Sequence, residues 1–166
     1  MENAGTDAPI LVAIDGPAGS GKSSVSRAAA GRLAFGILDT GAAYRALAWT
    51  ALETGTDLDD PAAVEALLAA WRYETTLRGD ARVLVRVPGS VEADVTAAIR
   101  EPGISAQVSR VSKHPGVRDG LNAMFRRLVA DSGLPGVVIE GRDTTTVVAP
   151  DAPVRILMPY IGMAPR

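Results

Sequence analysis

The residues best suited to chemistry lie at Gly16-Pro17-Ala18-Gly19-Ser20-Gly21-Lys22-Ser23, with Ser24 directly after them. This run fits G-x-x-x-x-G-K-[ST], with an apolar strand pattern before it and a helical pattern after it. Glycines at these spacings let backbone N–H groups turn inward around an anion. A helix opening at Lys22 directs its positive end at the same point. Lys22 is expected to reach the terminal phosphates of a nucleoside triphosphate, and the Ser23 hydroxyl to ligate Mg²⁺.

Three further stretches could serve an acceptor. "LDTGAAYRA", residues 38–46, follows a strand end and opens a helix, a natural anion site. Thr40 offers a hydroxyl there, and Tyr44 and Arg45 stand one turn on. The same spacing fits a capped helix with Tyr44 in the core and Arg45 in solvent. "IEGRD", residues 139–143, ends an apolar run. Glu140 sits where phosphate-loop proteins place a carboxylate near Mg²⁺. The Arg142 guanidinium can hold phosphate, and the Asp143 carboxylate can accept hydrogen bonds from an amino group on a base. A simple salt bridge would also account for that pair. In "HPGVRDGL", residues 114–121, Arg118 opens a helix after Pro115, where a surface arginine fits equally well. His114, the only histidine, is given no catalytic role.

The elements that must position these residues alternate. "ILVAID" (10–15) reads as a buried strand, 22–33 as a helix and 37–39 as a second strand. "GAAYRALAWTALE" spaces Tyr44, Leu47, Ala48, Ala51 and Leu52 on one helical face. Asp60-Pro61 reads as the N-cap and first residue of another helix, with Val64, Leu67, Leu68 and Trp71 inward. "YETTL" and "RVLVRV" flank the turn "RGD", and the alternation at Val83, Val85 and Val87 predicts a small hairpin. "ISAQVSRVS" predicts one short helix, and 115–130 a longer one facing inward through Val117, Leu121, Met124, Phe125 and Leu128. "GVVIEGRD" is a buried strand and "VRILM" (154–158) one more. Strand–helix alternation of this kind implies an α/β fold: a central parallel sheet with helices on both faces. The hairpin region, about 57–110, reads as an insertion between core segments at about 9–56 and 111–158.

Composition bounds the partners. A chain of 166 residues fits one domain and can bury a core without staples. It has no cysteine, which removes disulfides, thiol catalysis and thiolate zinc sites, and a cytoplasmic protein is expected. The start "MENAGTDAP" lacks the pattern of a signal peptide. No apolar run approaches the ~20 residues of a membrane span. A net charge of -2 argues against nucleic-acid binding. Of the 17 basic residues only Lys22 and Lys113 are lysines, and arginine binds phosphate in a fork.

Taken together, "IDGPAGSGKSS", "LDTGAAYRA", "EGRDTTTVVAPDAPV" and "VTAAIR…VSRVS…HPGVRDGL" closely resemble the bacterial cytidylate kinase family, the (d)CMP kinases. The resemblance runs from Ile10 to Met158. It implies γ-phosphoryl transfer from ATP to CMP or dCMP, with Mg²⁺. It also implies a phosphate-loop core, a monophosphate-binding insertion with a small antiparallel sheet, and a mobile lid. By motif, residues 16–24 would bind ATP, with Lys22 and Arg142 catalytic. Thr40, standing where serine is frequent, would keep a hydroxyl for the base. Arg45 and Arg142 would hold the CMP phosphate, and Arg100 and Ser109 would face the cytosine. Arg118 and Asp143 would join them there or at the sugar, and Tyr44 would line the pocket. Ser23 and Glu140 would serve the metal.

Two departures stand out. The family continues past the strand matching "VRILM" into a helix, an arginine-rich lid and further elements, whereas "PYIGMAPR" (159–166) has no family counterpart. The expectation is a shortened, monomeric kinase domain without its lid and carboxyl-terminal part. At 144–146 the chain reads Thr-Thr-Thr, where many relatives have an apolar residue and glycine before the last threonine. Rival readings are a kinase for another small acceptor, such as UMP, AMP or shikimate, and a nucleotide-binding module without catalysis. No N-K-x-D motif supports a GTPase.

Overall fold

The structure, a computed structural model, describes residues 8–87, 89, 90 and 92–159. The expectations for residues 1–7 and 160–166 lie outside them. The elements in order are β1 (Ile10–Asp15), α1 (Lys22–Leu33), β2 (Gly36–Asp39), α2 (Thr40–Glu53), α3 (Pro61–Ala70), β3 (Arg72–Thr75), β4 (Val83–Arg86) and β5 (Ala93–Asp94). After a 3₁₀ turn at Ala98–Arg100 come α4 (Pro102–Ser105), α5 (Val108–Ser112), α6 (Pro115–Ala130), β6 (Gly136–Gly141) and β7 (Val154–Leu157). The chain divides into two compact units: residues up to Asp39 with those from Phe125 onward, and Thr40 to Met124.

The first unit is built on a four-stranded sheet ordered β2-β6-β1-β7, with every pairing parallel. β1 and β6 are central, so their residues read as unbroken apolar runs, and all six of β6 are buried. Val12, Ile14 and Val138 share one face, where Ala30 of α1 packs with Phe35, Ile37 and Met158 around them. Leu11 and Ile139 lie on the other face and, with Val129 of α6 and Val148, line a shared apolar pocket. The sheet therefore has a helix on each face. β7 departs from the buried strand expected: all four residues are exposed, Leu157 at 75%. It is an edge strand, with β1 on one side and no strand on the other among the described residues.

The second unit packs helices against a three-stranded antiparallel sheet ordered β3-β4-β5. Tyr73, Val83 and Val85 face inward, as the alternation predicts, and β5 extends the expected hairpin by a short third strand. Trp71 Nε1–H donates to Thr50 Oγ1 at 3.1 Å, and that hydroxyl donates to the Ala46 carbonyl at 2.9 Å. The indole of the α3–β3 corner is thereby fixed to α2. Leu47, Ala48 and Ala51 of α2 are buried, but Leu52, expected beside them, is 46% exposed. The single helix expected across "ISAQVSRVS" is broken into α4 and α5. Among the described residues no helix is long and apolar enough to cross a membrane.

Asp60 caps α3, its carboxylate accepting from the N–H groups of Ala62 (2.9 Å) and Ala63 (3.3 Å), with Pro61 in the first turn. Asp60→Ala is expected to destabilise the chain by about 1 kcal/mol. Urea unfolding of the two proteins checks this, and a change within error would remove the cap from the account of this unit.

Candidate functional site

Ala13 and Ile14 are sealed in the core, so β1 carries Asp15 to the carboxyl edge of its sheet, and residues 16–21 turn there before α1 begins. Ligands of open α/β sheets bind at this edge. Gly19 (φ 79°) and Gly21 (φ 80°) adopt the left-handed conformation that favours glycine. A Cβ at Gly16 would stand 2.8 Å from both Met158 O and Ser20 Oγ. The Ser20 N–H donates to Pro17 O at 3.3 Å, and the Val25 N–H to Gly21 O at 3.1 Å. The N–H groups ahead of Val25 at the start of α1 have no acceptor within the helix. Ser20 Oγ is shut off from solvent and has no hydrogen-bond partner among the described residues. Lys22 is half-buried, while Ser23 and Ser24 are exposed.

Glu140, at the end of β6, is buried beside this loop. Burial raises its pKa, and repulsion from Asp39, its register partner on β2, adds to the effect. A hydrogen bond from the Ser23 hydroxyl and the positive charges of Lys22 and Arg27 pull the other way without cancelling it. Two carboxylates and a hydroxyl here form an all-oxygen donor set, the kind a hard divalent cation takes. No cluster of three or more metal-ligating His, Cys, Asp or Glu side chains occurs among the described residues.

Asp15 is a second buried carboxylate on the same edge, and sequence reasoning passed over it. Its Oδ1 accepts from the Thr144 N–H and hydroxyl; its Oδ2 accepts from the Thr145 hydroxyl and from the Thr145 N–H at 3.0 Å. Burial would raise its pKa, but these four donors outweigh burial and lower it. The clamp contributes stability above the ordinary aspartate value and loses it only as the pH falls below that value. Thr144–Val148 forms a single π-helical turn, with Asp143 ahead of it at φ 59°. Arg126 donates to Val148 O (3.2 Å) and Val147 O (3.0 Å) at the other end. Arg142 and Asp143 are exposed just beyond Gly141, the register partner of Asp15. The first unit thus brings residues 16–24, Glu140, Arg142 and Asp143 to one edge.

The other expected residues belong to the second unit. Thr40 is buried as the first residue of α2, and Tyr44 and Arg45 are half-buried one turn on, between the two alternatives read from their spacing. The 3₁₀ turn carrying Arg100 and the α5 helix carrying Ser109 both pack against α2. Both residues are exposed, and Arg100 Nε–H donates to Thr96 O at 3.3 Å. Arg118 is half-buried on α6. His114 is buried, its Nε2 donating to Leu58 O at 2.8 Å, a structural role. Asp39 was also missed. Its pairing with Glu140 across β2 and β6 is set by the fold and leaves no mark in the sequence.

The raised pKa of Glu140 predicts a sign. Its charged form is disfavoured on folding, so the penalty exists above the raised pKa and fades as the pH falls toward the ordinary glutamate value of 4.5. Without nucleotide or metal, Glu140→Gln should melt higher than wild type at pH 7, with the gap closing on acidification. Equal melting at pH 7, or a gap that widens in acid, would contradict this electrostatic account.

Comparison with known proteins identifies the family. The family model for cytidylate kinase matches residues 12–160. The chain is 44% identical over 163 residues to a cytidylate kinase of Cutibacterium acnes, covering 95% of this chain and 70% of the relative. It is 42% identical over 161 residues to a cytidylate kinase of Streptomyces avermitilis, covering 95% and 67%. It is 45% identical over 148 residues to a bifunctional pantoate ligase/cytidylate kinase of Synechococcus sp., covering 89% of this chain and 29% of the relative. The chain therefore spans under a third of that bifunctional protein and about two thirds of the single-function ones. On the matched motifs and the extent of the match, the chain belongs to the cytidylate kinase family.

Proposed function

We propose that this chain binds Mg²⁺-ATP in the loop at 16–24 and directs its γ-phosphoryl group to the phosphate of CMP or dCMP. The observation that carries the reading is the Ser23–Glu140 hydrogen bond beside Lys22, on the edge that also bears Arg142 and Asp143. Backbone N–H groups of the loop and Lys22 would hold the β- and γ-phosphates. Ser23 and Glu140, with Asp39 adding negative charge, would hold the metal, whose part is to neutralise charge on the transferred group.

Phosphoryl transfer asks little covalent help from a protein. It requires two mutually repelling phosphates in line, and positive charge where negative charge develops. Lys22 and Arg142 would supply that charge, with Arg45 holding the acceptor phosphate. Thr40, Tyr44, Arg100, Ser109 and Arg118 would surround the acceptor nucleoside. The Asp143 carboxylate would accept from the 4-amino group of cytosine, whereas UMP offers a carbonyl oxygen that the carboxylate repels. The exposed position of Asp143 keeps it accessible to such a partner.

ADP formation from Mg²⁺-ATP, with CMP, dCMP, UMP, AMP or no acceptor added, tests the reading. Turnover should depend on CMP or dCMP. An ATP-binding chain that stays silent with every acceptor would instead be a nucleotide-binding module. Asp143→Ala should weaken CMP about tenfold or more, while ATP stays within about twofold. Lys22→Ala should lower transfer by about a hundredfold or more with CMP binding still measurable. Equal losses of both nucleotides in the Asp143 variant would remove Asp143 from the acceptor side.

A further inference from the structure

We propose that Asp15 is a positioning residue for the acceptor: its carboxylate, gripping Thr144 and Thr145, fixes the turn from which Arg142 and Asp143 project. The inference rests on the acceptor role proposed above for those two residues. It starts from a requirement of the fold. Asp15 is only 6% exposed, and a buried carboxylate is tolerated when its lone pairs are filled. Here they are filled entirely from one place, two N–H groups and two hydroxyls of successive residues. Such an arrangement leaves the Thr144–Thr145 backbone little freedom to move relative to the end of β1.

Three further contacts make the grip specific. The Asp15 carbonyl accepts from the Met158 N–H at 2.8 Å, which ties the end of β1 to the residue after β7. Gly16 then passes so close to Met158 O that no side chain fits between them. Arg126 holds the far end of the turn through the carbonyls of Val147 and Val148. The turn is therefore anchored at both ends. Asp143, at its head, sits at φ 59°, in the left-handed region that aspartate adopts more readily than most non-glycine residues. The phosphate loop and the Arg142–Asp143 corner thus share one anchor, so the donor side and the acceptor side of the first unit are set in a fixed relation.

Asp15→Asn is the direct probe. It keeps the shape but replaces one acceptor oxygen with a donor facing donors, so it is also the variant at greatest risk of misfolding. Thr145→Val removes one hydroxyl from a half-buried position and leaves the backbone N–H in place, and Thr145→Ser keeps the hydroxyl. Titration calorimetry with CMP and with a non-hydrolysable ATP analogue should give about tenfold weaker CMP for Thr145→Val, and the analogue within about twofold. Thr145→Ser should match wild type for both. The role is overturned if Thr145→Val leaves CMP unchanged, if both ligands lose equally, or if serine behaves like valine. A wild-type chain that binds the analogue but not CMP would overturn the acceptor reading itself, and this role with it.

Discussion

A carboxylate buried at the end of a central strand has to be neutralised, and much of the first unit is arranged around doing so for Asp15. β1 is paired on both sides, so the backbone of Asp15 is held between β6 and β7 and the residue is 6% exposed. Its charge is met by four hydrogen bonds from Thr144 and Thr145. The donors come from a π-helical turn, a rare form that brings two consecutive N–H groups and two hydroxyls onto one carboxylate. Once that turn is fixed, the exits from β1 and β6 are fixed with it. The phosphate loop and the Arg142–Asp143 corner then start from adjacent register partners, Asp15 and Gly141.

The second unit solves a different problem with the same economy. Its helix α2 keeps Tyr44 and Arg45 half-buried near its start while burying Ala43, Ala46, Leu47 and Ala51. Small residues let neighbouring elements approach closely, and Thr50 places a hydroxyl among them that the Trp71 indole needs. Trp71 also packs against Tyr73, with ring centroids 5.3 Å apart, so one corner joins α2, α3 and β3. Polar charge networks lie outside this core. Asp59 accepts from Lys113 at 2.5 Å and from Arg110, and these donors hold its carboxyl well below the usual range at an exposed position. Ion pairs so exposed add little stability, and their use is to orient α5 against the start of α3.

The parts of this structure that could be read from the sequence share a cause. β1, α1 and β6 follow from short-range patterns: an apolar run of strand length, a glycine-rich turn, a lysine opening a helix. The capping of α3 by Asp60 and the inward Val83 and Val85 follow in the same way. The misses depend on tertiary context. Leu52 has helical spacing with buried neighbours yet lies outside the packed arc. β7 has the composition of a buried strand, but burial depends on what flanks it in space. The break between α4 and α5 has no signal in the spacing. At the site, the glycines, Lys22, Ser23 and Glu140 stand in one recognisable pattern. Asp15 and Asp39 do not, because an aspartate at a strand end reads the same whether it is solvated, clamped or facing another carboxylate.

Asp15 and Glu140 end neighbouring strands, one register step apart, and both are buried. Burial alone would push both pKa values up, yet only Glu140 goes up. The difference lies in how each charge is met. Asp15 receives four neutral donors that prefer it ionised, so its charge is balanced within the fold. Glu140 has one hydroxyl, two cations that do not fully offset its burial, and Asp39 repelling it. Its environment therefore favours the protonated form more than water does. A carboxylate held in this way costs the folded chain stability at a pH above its raised pKa. One edge of a single sheet thus holds two buried acidic residues whose ionisation the fold biases in opposite directions, because four neutral donors meet one charge and a neighbouring carboxylate repels the other.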